Sequence, residues 1–449
     1  MNAHPPPRPL RTLRQPTRRP FLRHLLGASG LLAGSLLLAG CGGGSDSSGG
    51  GQAQVRALNL ATDLPSVDLD AGDVQFFGAV AVDELRAYKA LDTGTYTLKV
   101  KRAGDGTTLL SGSYALSKDL SYTAVIWGRE TALRLSTLPE NETNSDIPSG
   151  SARVRIFNAT VDTGSVDIFL TASTTDIGEA QATQASVNSG GISGYREISK
   201  GTYRLRVTGA GDPSDLRLDV AELTLGDQQH SSLILSPGAS GMLVHATHLV
   251  QQGAQTVMKN TKARVRVVAS VDAAGNVAAT LGGRTLAGGL RSPSVGPYQL
   301  VDATSAELTL RVNGNVVLNE ARSFTAGTDY TLLAHGSAAA SSLSVLVDDN
   351  RLPSSTSRVK MRLLHGAAGV DPLTLSVDYL ALSSDLAAGT VSAYSTLNTS
   401  AAARIDVTSA AAPAPLYSAE DVVLQSQGVY TVFMLAGNAT PTGVIRKER

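Results

Sequence analysis

The feature that most constrains the fold of this chain is a short alternating segment that returns four times. Val55-Arg56-Ala57-Leu58-Asn59 is echoed by Val154-Arg155-Ile156-Phe157-Asn158, by Val265-Arg266-Val267-Val268-Ala269 and by Met361-Arg362-Leu363-Leu364-His365. A tyrosine follows each (Tyr88, Tyr195, Tyr298, Tyr394), with an aliphatic residue three positions later (Leu91, Ile198, Val301, Leu397). The step from Arg to Tyr is 32 residues in repeats one, three and four and 40 in repeat two, so an insertion falls in the Thr-, Gln-, Ser- and Ala-rich stretch 173–188. A period of about 100 residues means four similar modules in tandem.

Alternation of period two specifies strands with one buried and one wet face. It recurs in Tyr96-Thr97-Leu98-Lys99-Val100, in Tyr203-Arg204-Leu205-Arg206-Val207, in Leu308-Thr309-Leu310-Arg311-Val312 and in Arg404-Ile405-Asp406-Val407. Each unit ends in a further β-rich run: Tyr122 to Trp127, Ser232 to Leu235, Tyr330 to Leu333, Tyr430 to Phe433. Gly and Thr interrupt any longer run, so a helical reading fails. About seven short strands per unit, punctuated by turns such as Gly104-Asp105-Gly106, predict an all-β chain of four tandem immunoglobulin-like antiparallel β-sandwiches. The expected boundaries are 54–140, 151–250, 263–350 and 358–445. Short polar linkers at 139–150, 251–262 and 352–357 imply units arranged as beads in line. The recurring Tyr88 position is the expected tyrosine corner, tying two sheets through a hydroxyl-to-backbone bond.

The opening of repeat one, with Asp63-Leu64-Pro65-Ser66-Val67-Asp68-Leu69 and the later Leu91-Asp92-Thr93-Gly94-Thr95-Tyr96, resembles the bacterial domain of unknown function 4397. Repeat two keeps the pattern in Asp162, Val166-Asp167-Ile168 and Lys200-Gly201-Thr202-Tyr203, whereas repeats three and four lack an equivalent of Asp68. The resemblance implies extracytoplasmic sandwiches, often on lipoproteins, and no known catalytic residues.

Residues 1–40 read as an export signal. Six arginines (Arg8, Arg11, Arg14, Arg18, Arg19, Arg23) and no acidic residue precede an apolar run of Leu, Ala, Gly and Ser from Leu25 to Gly40. Leu38-Ala39-Gly40-Cys41 resembles the lipobox of bacterial lipoproteins: Cys41 is acylated, as with palmitate, and the chain is cut before it, giving two or three acyl chains and durable anchoring in membrane lipid. Gly42 in place of Asp favours the outer membrane, at its periplasmic face or at the cell surface. Thr17-Arg18-Arg19-Pro20-Phe21-Leu22-Arg23 is similar to the twin-arginine export motif; an Arg pair arising within a basic leader is the alternative. Residues 41–53 then form a Gly/Ser leash, with ends on the order of 20 Å apart.

Removing the leader arginines leaves 32 basic against 38 acidic residues, and an acidic surface argues against nucleic-acid binding. Cys41 is the only cysteine, so no intramolecular disulfide or Cys-based metal site is expected, and no cofactor is implied. His245 and His248, three apart on a strand, face opposite sides, which disfavours a zinc pair. Asp348-Asp349-Asn350 offers oxygen ligands for calcium or is simply a loop. Asp63 with Asp68, or Asp162 with Asp167, are the carboxylate pairs that a hydrolase would use. Trp127 alternates with Val125 and is expected in the first core rather than on a sugar platform. The reading is a non-catalytic, membrane-tethered binding, adhesion or structural module of the envelope, whose partner is an envelope protein or surface ligand. The alternatives are a periplasmic accessory subunit docked on a partner complex and a carboxylate-based hydrolase.

Overall fold

Four β-sandwiches follow one another along the computed structural model, which describes residues 51–437 and 440–449. In the first, one sheet has the order Lys89–Asp92, Gln52–Asn59, Ser121–Trp127, Arg134–Pro139. The other has the order Val74–Ala81, Ser66–Ala71, Gly94–Arg102, Thr108–Leu116. Units two to four repeat this plan with nine strands each, against eight in unit one and the expected seven.

The alternation read in the sequence sets the faces. Val55, Ala57, Val67, Leu69, Leu98, Val100 and Ala124 fill the core between the two sheets of unit one. Units two, three and four have equivalent cores of their own. One feature departs from an antiparallel sandwich: the first strand of every unit pairs in parallel with the seventh in units one and two and with the eighth in units three and four.

The expectation of beads in line is corrected. The opposite face of the first sheet is also apolar, and the units pack in pairs through it. Leu58, Val125, Trp127 and Leu138 of unit one meet Phe157, Ile234 and Leu249 of unit two. Val268 and Leu333 of unit three meet Leu364, Phe433 and Leu435 of unit four. Burial of each such side chain contributes roughly 1.5–3 kcal/mol, which outweighs the freedom of a short linker. Trp127 is therefore buried between units rather than in the first core; its ring meets Phe157 edge-on at 5.4 Å and its Nε1 donates to Ser136 Oγ. Residues 251–262 are likewise not a free linker, because Gln255–Met258 adds a fifth strand to the first sheet of unit two. The insertion in repeat two falls between Thr171 and Gln184, inside the expected stretch.

The two pairs meet end to end. Backbone of the loop after the seventh strand of unit two lies directly on unit three: Ser240 N–H donates to Gly327 O, Asn350 N–H to Ser240 O, and Asp329 N–H to Ser240 Oγ. A Cβ at Gly238 would lie 2.6 Å from Leu243 O and 3.0 Å from Gly327 O, so glycine is required for this approach.

Candidate functional site

The repeated Arg and Tyr find each other in every unit. Parallel pairing puts Arg56 beside Thr123, Arg155 beside Ser232, Arg266 beside Thr331 and Arg362 beside Thr431. Each Nε donates to the neighbouring hydroxyl, at 2.9, 2.8, 2.8 and 3.2 Å respectively. Each guanidinium also lies over the recurring tyrosine ring, 4.4–4.9 Å from its centre. Because residues two apart on a strand share a face, Arg264 and Lys360 cover the same rings, Tyr298 and Tyr394.

These sets sit at the contacts between paired units and reach across them. Arg56 pairs with Glu140 at 2.8 Å within unit one, and its guanidinium donates to Val250 O and Gly253 O of unit two. Arg155 in turn donates to Pro139 O. Between units three and four the exchange is ionic: Arg266 pairs with Glu448 at 2.7 Å and Arg362 with Asp348. Burial opposes both buried charges, but Asp348 is held below the usual carboxylate range because Arg362 and Arg266 outweigh its desolvation. Tyr298 donates to Asp348 Oδ2 at 2.6 Å, and burial followed by the Asp348 charge pushes its hydroxyl well above the ordinary range.

The tyrosine-corner expectation is thereby corrected. Tyr88 donates to the Glu140 carboxylate, not to backbone. The hydroxyl-to-backbone role belongs to the tyrosine near the start of the strand that pairs in parallel with the first: Tyr122, Tyr330 and Tyr430 accept from the N–H of Ser117, Thr325 and Gln425.

An open cleft of about 280 Å³ lies where unit one, unit two and the segment joining units three and four converge. Its charged lining is Asp63, Arg129, Glu130, Asp162, Asp349, Arg351 and Lys360. Arg129 Nε donates to Asp162 Oδ2 at 2.9 Å, and its other nitrogens donate to Thr62 Oγ1 and Gly238 O. Asp349 receives Arg351 at 2.7 Å and Lys360 at 3.1 Å. Burial works against the Asp349 charge, yet those two cations hold its carboxyl at about 2. Burial lowers Lys360 to about 8, with Asp349 opposing the shift.

Two regions, 53–169 and 263–369, match the family model described as a domain of unknown function, DUF4397. The chain carries DUF4397 repeats. Each matched region runs through one sandwich and into the start of the next. No curated protein matches the chain. A solved structure described as the Bacillus anthracis TIE protein aligns at 9% identity and a TM-score of 0.14, over 62% of this chain and 48% of that one. This chain thus spans about half the length of that neighbour.

The acidic residues shared by the first two DUF4397 repeats divide between two places. Asp63 and Asp162, seven residues after the opening Arg, come together on the wall of the cleft, whereas the hydrolase reading joins each to Asp68 or Asp167. Asp68 Oδ1 accepts the N–H of Ala79, and Asp167 accepts those of Ser186 and Gly211, all turn or bulge backbone. Of the calcium candidates, Asp348 faces Arg362, Asp349 faces Arg351, and Asn350 donates to Asp329. Among the described residues no group of three or more His, Cys, Asp or Glu is arranged to hold a metal ion. His248 is buried, and His245 Nδ1 accepts the Asn260 N–H. Asp105 caps its hairpin turn through Thr107 N–H. Arg18, Arg19, Leu38, Ala39, Gly40 and Cys41 lie outside the described residues. Sequence reasoning misses Arg129, Arg351 and Lys360. Only Lys360 has a signal, since Arg153, Arg264 and Lys360 all stand two residues before an opening Arg.

Proposed function

We propose that this protein is a lipid-anchored envelope protein of the outer membrane, tethered through Cys41, whose four sandwiches form a non-catalytic binding or structural module. The observation that carries this reading is the use made of the recurring charged set. All four Arg–Tyr–Thr or Arg–Tyr–Ser sets lie against the contacts between units, so the most regular chemistry of the chain joins sandwiches to one another. The lipobox supplies the tether, and the Gly/Ser leash separates it from the folded body.

The test is fractionation of cells carrying Cys41→Ala, with a labelled palmitate precursor. Loss of label and release from the outer membrane are expected; unaltered labelling and fractionation would refute the tether. A second reading, an accessory subunit docked on a periplasmic complex, is favoured by the exposed apolar hairpin tip of unit four, where Tyr379 and Leu380 are 81% and 68% exposed. Protease treatment of intact cells separates the two: digestion favours a surface module, protection the periplasmic subunit.

A further inference from the structure

We propose that the cleft between unit one, unit two and the segment 349–360 binds an uncharged saccharide. This names a ligand class for the binding module above and rests on that reading, but not on the lipid anchor.

The cleft is densely charged, yet every charge on its wall is already matched except that of the exposed Asp63, which accepts the Glu130 N–H. Arg129 is paired with Asp162, Arg351 and Lys360 with Asp349, and Glu130 with Arg102. An anion would have to displace one of these partners, and displacing a partner from a buried ion such as Lys360 leaves a costly bare charge; a cation finds only the solvent-screened carboxylate of the exposed Asp63. A neutral ligand displaces none.

What the lining still offers is hydrogen-bonding capacity of both kinds. Lys360 has three N–H donors and one carboxylate partner. Asp63, exposed on the cleft wall, accepts the Glu130 N–H and keeps lone pairs free to accept further. The Thr131 and Ser354 hydroxyls add groups that donate and accept. A ligand that fits must donate and accept at several points without net charge, which is the chemistry of a polyol ring. Val161 and Leu352 supply aliphatic surface for its C–H face. The volume, about 280 Å³, falls just below the range for drug-sized sites, about 300–1,000 Å³, as suits a single sugar ring. Since no aromatic ring is among the lining residues, affinity for a single sugar is expected in the millimolar range.

The test is calorimetric and saturation-transfer NMR titration of the full chain with glucose, galactose and N-acetylglucosamine. Saturable binding of at least one sugar is expected, weakened roughly tenfold or more by Arg351→Gln and by Asp63→Asn with the melting temperature unchanged. Thr131→Val, at an exposed position, provides the same readout if Arg351→Gln compromises folding. Absence of saturation with all three sugars overturns the proposal. So does binding that survives all of these substitutions, or competition by inorganic phosphate or acetate, which would mark an anion site. None of these outcomes bears on Cys41→Ala fractionation, so the ligand and the tether fail independently.

Discussion

At the level of single residues, the four opening arginines share one position in the repeat but not one environment. Arg266 has a side chain 1% exposed between Glu448 and Asp348, with Thr331 and two aromatic rings around it. Arg155 is half-buried and has a hydroxyl, a carbonyl and a ring, but no carboxylate among its bonded partners. Removing Arg266 strands buried carboxylates, so Arg266→Met is expected to cost about 3–5 kcal/mol, and Arg155→Met about 1 kcal/mol, read from chemical denaturation. Equal losses would show that burial of the ring and stem, not charge, governs both. Two other residues set opposing pH dependences. Burial, then Lys259, lowers His245 to about 4, so its contribution is full above the unfolded value near 6.5 and falls as pH drops toward 4. Burial raises Asp329 to about 6, so its contribution is full below about 3.9 and is lost as pH rises through 6. Each amounts to at most about 3 kcal/mol, and between pH 4 and 6 the two offset. His245→Gln should leave a stability that declines with rising pH, and Asp329→Asn one that declines with falling pH. Parallel profiles for wild type and both variants, measured by denaturation midpoint, would remove this account.

Among the elements, the edge strand of the second sheet shows what was and was not legible. Strands, repeat period and insertion were readable because alternation and spacing are local. The meaning of the Val-Asp-Leu and Val-Asp-Ile segments was not, because each Asp acts on a residue 11 or 19 positions away. Asp68 and Asp167 clamp a β-bulge whose outer residue, Ala79 or Ser186, is left-handed at φ 48° or 53°. Repeats three and four lack that Asp and differ there in kind: Gly289, at φ 135°, and Asp385, at φ 54°, stand near the same register shift. A second device is the residue after three of the four recurring tyrosines. Lys89, Gln299 and Ser395 donate to the edge-strand carbonyls of Phe76, Leu286 and Leu382, latching the open side of the sandwich. Asp68→Ala should cost about 1–2 kcal/mol by freeing the Ala79 N–H, and Ala79→Gly in that background should return part of it by relieving the left-handed strain. If Ala79→Gly destabilises both the wild type and the Asp68→Ala variant, the bulge is held by something other than Asp68.

For the whole molecule, the arrangement in pairs was hidden in the sequence by its own regularity. The first strands read as half-wet, yet Leu58, Phe157, Val268 and Leu364 make their second face apolar as well, and only a partner unit can bury it. The cleft was half legible for a related reason. Asp63 and Asp162 hold a shared repeat position, whereas the counterparts of Arg129 are Gly238, Ser337 and Gly437, so nothing periodic marks it. Besides the backbone contacts at Ser240, one guanidinium among backbone carbonyls joins one pair to the other. Arg449 Nη1 donates to Asp162 O at 2.8 Å and Gly241 O at 2.9 Å, and Nη2 to Thr163 O at 2.6 Å. Burial, then Arg217, lowers its pKa to about 10, which still leaves it charged near neutrality. A planar guanidinium spans several carbonyls at once, and an ammonium does not. Arg449→Ala is therefore expected to free the contact between pairs while leaving each sandwich folded. Amide exchange at Ser240, Gly327 and Asn350, whose N–H groups bond at or near this contact, should accelerate roughly tenfold or more, as local opening falls by about 1.4 kcal/mol or more. Amides in the cores, such as Val267 and Leu332, should keep their protection. Arg449→Lys should fall between the two, because it keeps the charge and loses the fork. Unchanged exchange at Ser240 and Gly327 in Arg449→Ala would show that the glycine-mediated backbone contacts alone hold the pairs together, and acceleration in the cores as well would show that the two pairs unfold as one.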